Sequence, residues 1–367
     1  MTAREVALRI LVDVEDGAYA NLVVDKWLKD SGLSQVDKGL ATNIVYGVLT
    51  HRMKLDAIIG KASNLPLKKV SKYILNILRC GVYQLFYLDK VPNAAAVNES
   101  VKLAKRYGHK ASSGFANGVL RNVKFETFED VCVEYSHPKW MFDMWVRDYG
   151  EEKAIEIMRA NNEEGETTYR GEEIQGLASQ KAVEVLGVRA GDLVIDVCSA
   201  PGGKAAYAAE LMGNEGRIIA CDLHEHRVEL VRKNAERLGL RIVEPTLWDG
   251  TQVNEEWVGI ADRVLVDVPC SGLGVIHKKP DIKWKKAEND ITELVHLQAR
   301  ILENAAKYLK VGGRMVYSTC TVNKSENDEI VKGFLVKHKN FTAISEEQIF
   351  PSEKWDGFYI TLMERLS

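Results

Sequence analysis

LVIDVCSAPGGKAAYAAELM, residues 193–212, decides the fold. A short β-branched run, Leu193–Cys198, breaks into a turn holding Gly202 and Gly203, and the turn opens an alanine-rich stretch of strong helix formers. Downstream the same alternation repeats: RIIACDL (217–223), HRVELVRKNAERLG (226–239), DRVLVDV (262–268), a long helical stretch, and RMVYSTC (314–320). Strands alternating with helices predict a doubly wound, mostly parallel sheet over residues 186–367, with its working groups at the carboxyl ends of the strands.

Upstream the period changes. From residue 3 to about 122 apolar residues recur at three and four, with breaks at Asp16-Gly17, Ser31-Gly32, Asn64-Leu65-Pro66, Val91-Pro92-Asn93 and Gly108. Residues 1–125 therefore form an all-α domain, and residues 126–185 a helical connector whose middle, Asn161–Gly171, reads as a loop. The chain of 367 residues, 46% hydrophobic and 28% charged, is long enough for two cores. Its net charge of -3 hides an asymmetry. Residues 1–125 hold 19 Lys and Arg against 10 Asp and Glu, a net +9, whereas the remainder holds 30 against 42, a net -12. A basic module in front of an acidic one points to a polyanion held by the first, through a surface that includes Lys102, Lys105, Arg106, Lys110 and Arg121. The longest apolar stretch, Leu75–Leu88, is interrupted by Asn76, Arg79 and Gln84 and is too short for a membrane span. The N-terminus has helical amphipathic spacing and no signal-peptide core, which places the protein in the cytoplasm without a membrane partner. Six scattered cysteines with no C-x-x-C pair and no His cluster argue against a metal site and a disulfide framework.

The chemistry gathers at strand ends. Gly202 and Gly203 let the backbone approach a ligand and aim free helix N–H groups at it, although the loop is neither a dinucleotide fingerprint nor a P-loop. Asp222, 20 residues after Gly202, stands where a carboxylate can accept both ribose hydroxyls, so turn and acid together predict an adenosine-type cofactor. In DRVLVDVPCSGLGVIHKKPDIKW, Asp267 ends a buried strand and Cys270 follows on the turn. The loop beyond it sets Lys278, Lys279, Lys283, Lys285 and Lys286 around Trp284, which reads either as a solvated charge run or as phosphate-binding charge with an aromatic to stack on a base. Cys320 leaves the last of these strands at the same edge. Two thiols and two carboxylates are thus expected in one crevice, the equipment of a pyrimidine-C5 methylase: a thiolate must add to C6 before C5 can accept a methyl group.

At this point the motifs CSAPGGK (198–204), DLHEHRVELVRKNAERLG (222–239), DVPCSGLGV (267–275) and YSTCTV (317–322) resemble the Sun/RsmB family of 16S ribosomal RNA cytosine-5 methyltransferases over nearly the whole chain. The resemblance implies a Rossmann-like class I methyltransferase using S-adenosylmethionine, behind a NusB-like RNA-binding domain at residues 1–125. It implies Cys320 as nucleophile and Cys270 as the residue that assists release. Cys198, Ser199, Ala200, Pro201, Gly202, Gly203 and Lys204, with Asp222, Asp249 and Asp267, would hold the cofactor. The implied activity is of the cytosine-967 C5 type on 16S RNA, naked or in a partly assembled small subunit, with no obligate protein partner. Two alternatives stay open: the same chemistry with Cys270 as nucleophile, and a catalytically idle RNA-binding protein. One departure stands out. Family members carry a small RNA-contacting segment, several tens of residues long, where here only 12 residues separate Asn162 from Gln175.

Overall fold

The computed structural model describes residues 1–367, which divide into two compact units: Met1–Asn162 with Ile276–Lys285, and Glu163–Val275 with Lys286–Ser367. The first unit is helical: α1 (Ala3–Glu15), α2 (Ala20–Asp30), α3 (Gln35–Ala62), α4 (Lys72–Tyr87), α5 (Asn93–Tyr107), α6 (Ser112–Asn122), α7 (Val131–Glu134), α8 (Lys139–Tyr149) and α9 (Glu151–Ala160). The three-and-four spacing seen in the sequence becomes one core, in which Val6, Ile10, Leu11, Ile44, Leu55, Ile59 and Leu78 are almost wholly buried. Each such side chain contributes roughly 1.5–3 kcal/mol of transfer free energy. Thr2 caps α1 by accepting from the Glu5 amide at 3.3 Å, and Ser34 caps α3 by accepting from Asp37 at 3.2 Å. Lys102, Lys105, Arg106, Lys110 and Arg121 are all exposed on α5, α6 and the turn between them, as the spacing predicts. No helix of the chain is long and apolar enough to cross a membrane.

The second unit begins with a two-residue hairpin, β1 (Tyr169–Arg170) and β2 (Glu173–Ile174), followed by α10 (Leu177–Leu186). The hairpin lies at the end of a stretch read as loop. Then come β3 (Leu193–Asp196), α11 (Gly203–Leu211), β4 (Arg217–Asp222), α12 (Glu225–Arg237), β5 (Val243–Leu247) and β6 (Ala261–Asp267). After α13 (Ile282–Lys285), which belongs to the first unit, follow α14 (Glu288–Tyr308), β7 (Leu309–Thr319), α15 (Asp328–Lys337), β8 (Phe341–Ile349) and β9 (Phe358–Arg365). The strands form one sheet in the order β5-β4-β3-β6-β7-β9-β8. The first five are parallel, and β9 pairs antiparallel with both β7 and β8, so that it alone runs against the rest. The chain winds outward from β3 through β4 to β5, then returns to place β6 on the other side of β3, so the topological switch lies between β3 and β6. A crevice opens at the carboxyl ends of the strands flanking such a switch. Besides the hairpin, three strands of this sheet are absent from the sequence reading: β5, whose VEPTL carries an acid and a proline, and the C-terminal pair β8 and β9.

The structure departs from the reading of Lys278–Lys286 as a ligand-facing charge run. The lysine-rich stretch around Trp284 is built into the helical unit. Lys283 is buried, and its ammonium donates to the Thr50 carbonyl at 2.7 Å and the Asn162 side-chain oxygen at 3.1 Å. The Trp284 indole N–H donates to the Leu49 carbonyl at 2.8 Å, with the Arg52 guanidinium 5.3 Å from its ring centre. Lys285 donates to the Gly17 carbonyl at 3.2 Å and to that of Ala18, and lies 3.9 Å over the Tyr19 ring. Asp281 accepts from the Ala20 amide at 3.1 Å and so caps α2, which has no side-chain cap of its own at Tyr19. These side chains satisfy orphan carbonyls and an orphan amide, so Lys283, Trp284 and Lys285 are spent on structure. Lys278 and Lys279 remain exposed.

Candidate active site

The site is assembled from four turns that leave the carboxyl ends of β3, β4, β6 and β7. After β3 the Ser199 amide donates to the Cys221 carbonyl at 2.7 Å, and Gly202 takes a φ of +101° to start α11. A Cβ there would fall 3.3 Å from the Val231 backbone, so glycine is required both for the left-handed turn and for the contact with α12. Gly203 and Lys204 then form the first turn of α11.

Asp222 ends β4 and is almost fully buried. Its two oxygens accept from the Ala200 and His224 amides, both at 3.3 Å, and Arg227 approaches to 3.4 Å while donating to the Ala200 carbonyl at 3.1 Å. The turn after β3 and the acid after β4 are thereby tied together. Asp249, beyond β5, folds back on itself, accepting from both the amide and hydroxyl of Thr251. Asp196, at the end of β3, is enclosed, and burial pushes its carboxyl up to about 7.

Asp267 at the end of β6 accepts from the Lys204 ammonium at 2.6 Å and from the Ser318 hydroxyl at 2.7 Å. Burial by itself would lower the Lys204 pKa. The charge of Asp267 and the hydrogen bond to it outweigh burial, so the lysine ends above its ordinary value and stays a cation. The ammonium is 5.4 Å from the Phe358 ring centre. Cys270, on the turn after β6, and Cys320, directly after β7, stand with their sulfurs 3.1 Å apart. The hydrogen bond to Cys320, then burial and the charge of Cys320, raise the Cys270 thiol well above the usual range.

These groups converge on one cavity of about 400 Å³, within the size range of small-ligand sites. Of the residues singled out in the sequence, Cys198, Ala200, Asp222, Asp249, Asp267, Cys270 and Cys320 line it. Ser199, Pro201, Gly202, Gly203 and Lys204 stand behind it, forming the turn and carrying the ammonium to Asp267. Leu223, Trp248 and Ile301 supply apolar walls and Arg227 a cation, all missed by sequence reasoning. Arg227 had a signal: it follows Asp222 by five residues in the first turn of α12, where a side chain can reach back to the strand end. The donor set suits an adenosylated cation: apolar walls and carboxylates at strand ends. A strand order switching at β3 and β6, with such a crevice on the switch, defines a Rossmann-like, doubly wound α/β fold with a ligand site at its switch point.

Comparison with known proteins takes the identification further. Residues 183–363 match the 16S rRNA methyltransferase RsmB/F family model, and residues 1–125 match the NusB family. The probable ribosomal RNA small subunit methyltransferase B of Bacillus subtilis (strain 168) is 35% identical over 413 aligned positions, taking in 96% of this chain and 92% of that protein. Because 413 exceeds the 367 residues here, at least 46 of those positions have no counterpart in this chain, in keeping with its short connector. The crystal structure of PH0851 superposes with a TM-score of 0.81 at 22% identity, over 99% of this chain and 98% of that one. A methyltransferase homolog protein from Pyrococcus horikoshii gives 0.57 at 24% identity, over 65% and 98%. The chain belongs to the ribosomal RNA small subunit methyltransferase B family, whose members methylate ribosomal RNA with S-adenosylmethionine.

Proposed function

We propose that the protein methylates C5 of one cytosine in 16S ribosomal RNA, at the position numbered 967 in the family's type activity, in the cytoplasm. Cys320 would be the covalent nucleophile. The observation that carries this reading is the thiol pair: two cysteines with sulfurs 3.1 Å apart at the mouth of a cofactor-sized crevice, Cys270 on the turn after β6 and Cys320 directly after β7. The nucleophile is assigned to Cys320 by the resemblance of its YSTCTV stretch to the family's motif, with Cys270 assisting release.

S-adenosylmethionine, when bound, supplies the methyl group. Asp222, Asp249 and the turn Cys198–Lys204 would hold it, with Leu223, Trp248 and Ile301 against its apolar parts. Asp267, held at the crevice wall by Lys204, would contact the polar edge of the reacting base. The Cys320 thiolate forms a bond to C6 of a cytosine lifted out of its stack, and C5 takes the methyl group. Cys270 then gives its proton to solvent and, as thiolate, accepts the proton on C5. The S–C6 electrons return to Cys320 as that bond breaks, leaving 5-methylcytosine. RNA affinity would come from the basic helical unit, whose first 125 residues carry the net +9.

The test is incubation of the purified protein with unmodified 16S RNA and labelled S-adenosylmethionine, followed by base analysis and mapping. Label in 5-methylcytosine at one position is the expected result. Label in another base, or cofactor binding with no transfer to 16S RNA, would overturn the reading.

A further inference from the structure

Behind the two thiols lies a buried carboxylate that the chemistry above does not use. Glu326 is fully enclosed in the short turn Lys324–Glu326 that follows β7. Taking a carboxylate out of water is costly unless its lone pairs are met. Its Oε1 accepts from the Ser271 amide at 2.8 Å and from Gln298 Nε2 at 3.0 Å. Its Oε2 accepts from the Ser271 hydroxyl at 2.5 Å and from Asn323 Nδ2 at 3.2 Å. These four donors are uncharged and come from three separate stretches of chain.

The positions of those donors give the arrangement its meaning. Ser271 follows Cys270 directly, and Gln298 also donates to the carbonyl of Pro269, the residue before Cys270, at 2.9 Å. The Ser271 hydroxyl lies 2.9 Å from that of Thr321, which follows Cys320. Asn327, next to Glu326, accepts from the Thr319 hydroxyl at 2.6 Å and donates to the Thr321 carbonyl at 3.1 Å, so it grips both neighbours of Cys320. One carboxylate and the amide beside it thus hold the residues on either side of each thiol.

We infer that Glu326 is a positioning residue: through Ser271 and Gln298 it fixes the Cys270 turn against the end of β7 and so sets the approach of the two sulfurs. The inference rests on the reading that this pair reacts. A carboxylate is needed because all four partners donate; an amide of the same shape would turn its own N–H groups toward at least one donor, so Glu326→Gln breaks the clamp with little change in volume.

The test uses the full-length protein and two readouts. The first is the rate at which diamide closes a Cys270–Cys320 disulfide, followed by peptide mass mapping, which depends on the approach of the sulfurs and not on what they catalyse. The second is kcat and KM with RNA, alongside the affinity for S-adenosylmethionine. In Glu326→Gln both disulfide closure and kcat should fall roughly tenfold, the scale of loss when reacting groups shift by a fraction of an ångström. KM and cofactor affinity should stay within about twofold, since the other machinery is untouched. Closure at the wild-type rate overturns the inference. Slowed closure with kcat unchanged upholds the clamp and strikes instead at the reading that the pair reacts. Should Glu326→Gln not fold, Ser271→Ala removes only the hydroxyl contacts, and a fall of about threefold in the same closure rate is expected; no fall overturns the inference equally.

Discussion

The turn Cys198–Lys204 and the stretch Lys278–Lys286 read alike in the sequence, each a polar segment with residues suited to a ligand, yet the structure uses them in opposite ways. The first leaves the carboxyl end of a parallel strand beside the topological switch, and its residues line or back a crevice. In the second, Lys283, Trp284 and Lys285 turn inward and spend their donors on the carbonyls of Thr50, Leu49 and Ala18. Place in the topology is what separates them. A strand end at a switch point is exposed to ligand whatever its composition, whereas a run of lysines has no fixed direction until its partners are known.

The sharpest ways to break that contrast lie in the crevice. Cys320→Ala should lower methyl transfer by at least roughly 10⁴-fold, as expected for loss of a covalent nucleophile, with an unchanged melting temperature. Cys270→Ala should lower turnover by about 10²-fold or more and accumulate a protein–RNA adduct that survives denaturing electrophoresis. Near-normal rates in either variant would remove the site from the chemistry. Lys204→Met, which strips Asp267 of its cation, should cost roughly 10²-fold in kcat/KM measured at steady state.

In the helical unit the expected effects are on stability. Lys283→Ala removes the donor to the Thr50 carbonyl and the Asn162 side-chain oxygen and leaves a cavity, and should destabilise by about 2–4 kcal/mol in urea titration. Its RNA affinity should keep the wild-type salt slope, whereas Lys110→Ala, on the exposed surface, should lower that slope by about one. If Lys283→Ala changed the salt slope and left stability alone, the structural role assigned to that stretch would be wrong. The smallest effect concerns acid. Burial, reinforced by Lys283 and Lys54, lowers His51 to about 3, and burial lowers His137 as well. Both are kept neutral in the fold, so protons go preferentially to the unfolded chain once the pH drops below about 6.5. Stability is therefore complete above that pH and declines below it, by about 2 kcal/mol between pH 7 and 5 for one such histidine. His51→Phe, which preserves stacking on Tyr87, should flatten that part of the stability curve.

How far the sequence could be read follows from the same contrast. β3, β4, β6 and the second half of β7 are buried in the middle of a parallel sheet, and Val194, Ile195, Val264 and Met315 mark them as continuous apolar runs. β5 escaped notice because it is an edge strand, where Glu244 and Pro245 are tolerated and no run forms. β8 escaped for a related reason, being exposed along most of its length at the other edge. The convergence of Asp222, Asp267, Cys270 and Cys320 was legible because parallel strands deliver their carboxyl ends to one side. The fate of Lys283 was not, because its acceptors lie 233 and 121 residues away in the chain. Glu326 was hidden in the same way: nothing in NKSEN marks which of its polar residues turns inward, and the donors on Ser271 and Gln298 come from other elements.

The central claim is that Cys320, and not Cys270, attacks the base. The most direct measurement is to incubate the wild-type protein with S-adenosylmethionine and 16S RNA carrying 5-fluorocytidine, which has no C5 proton to lose and so arrests the adduct, then digest it and map the modified peptide. Attachment at Cys320 is the predicted result; attachment at Cys270 would contradict the account and reverse the roles of the two thiols.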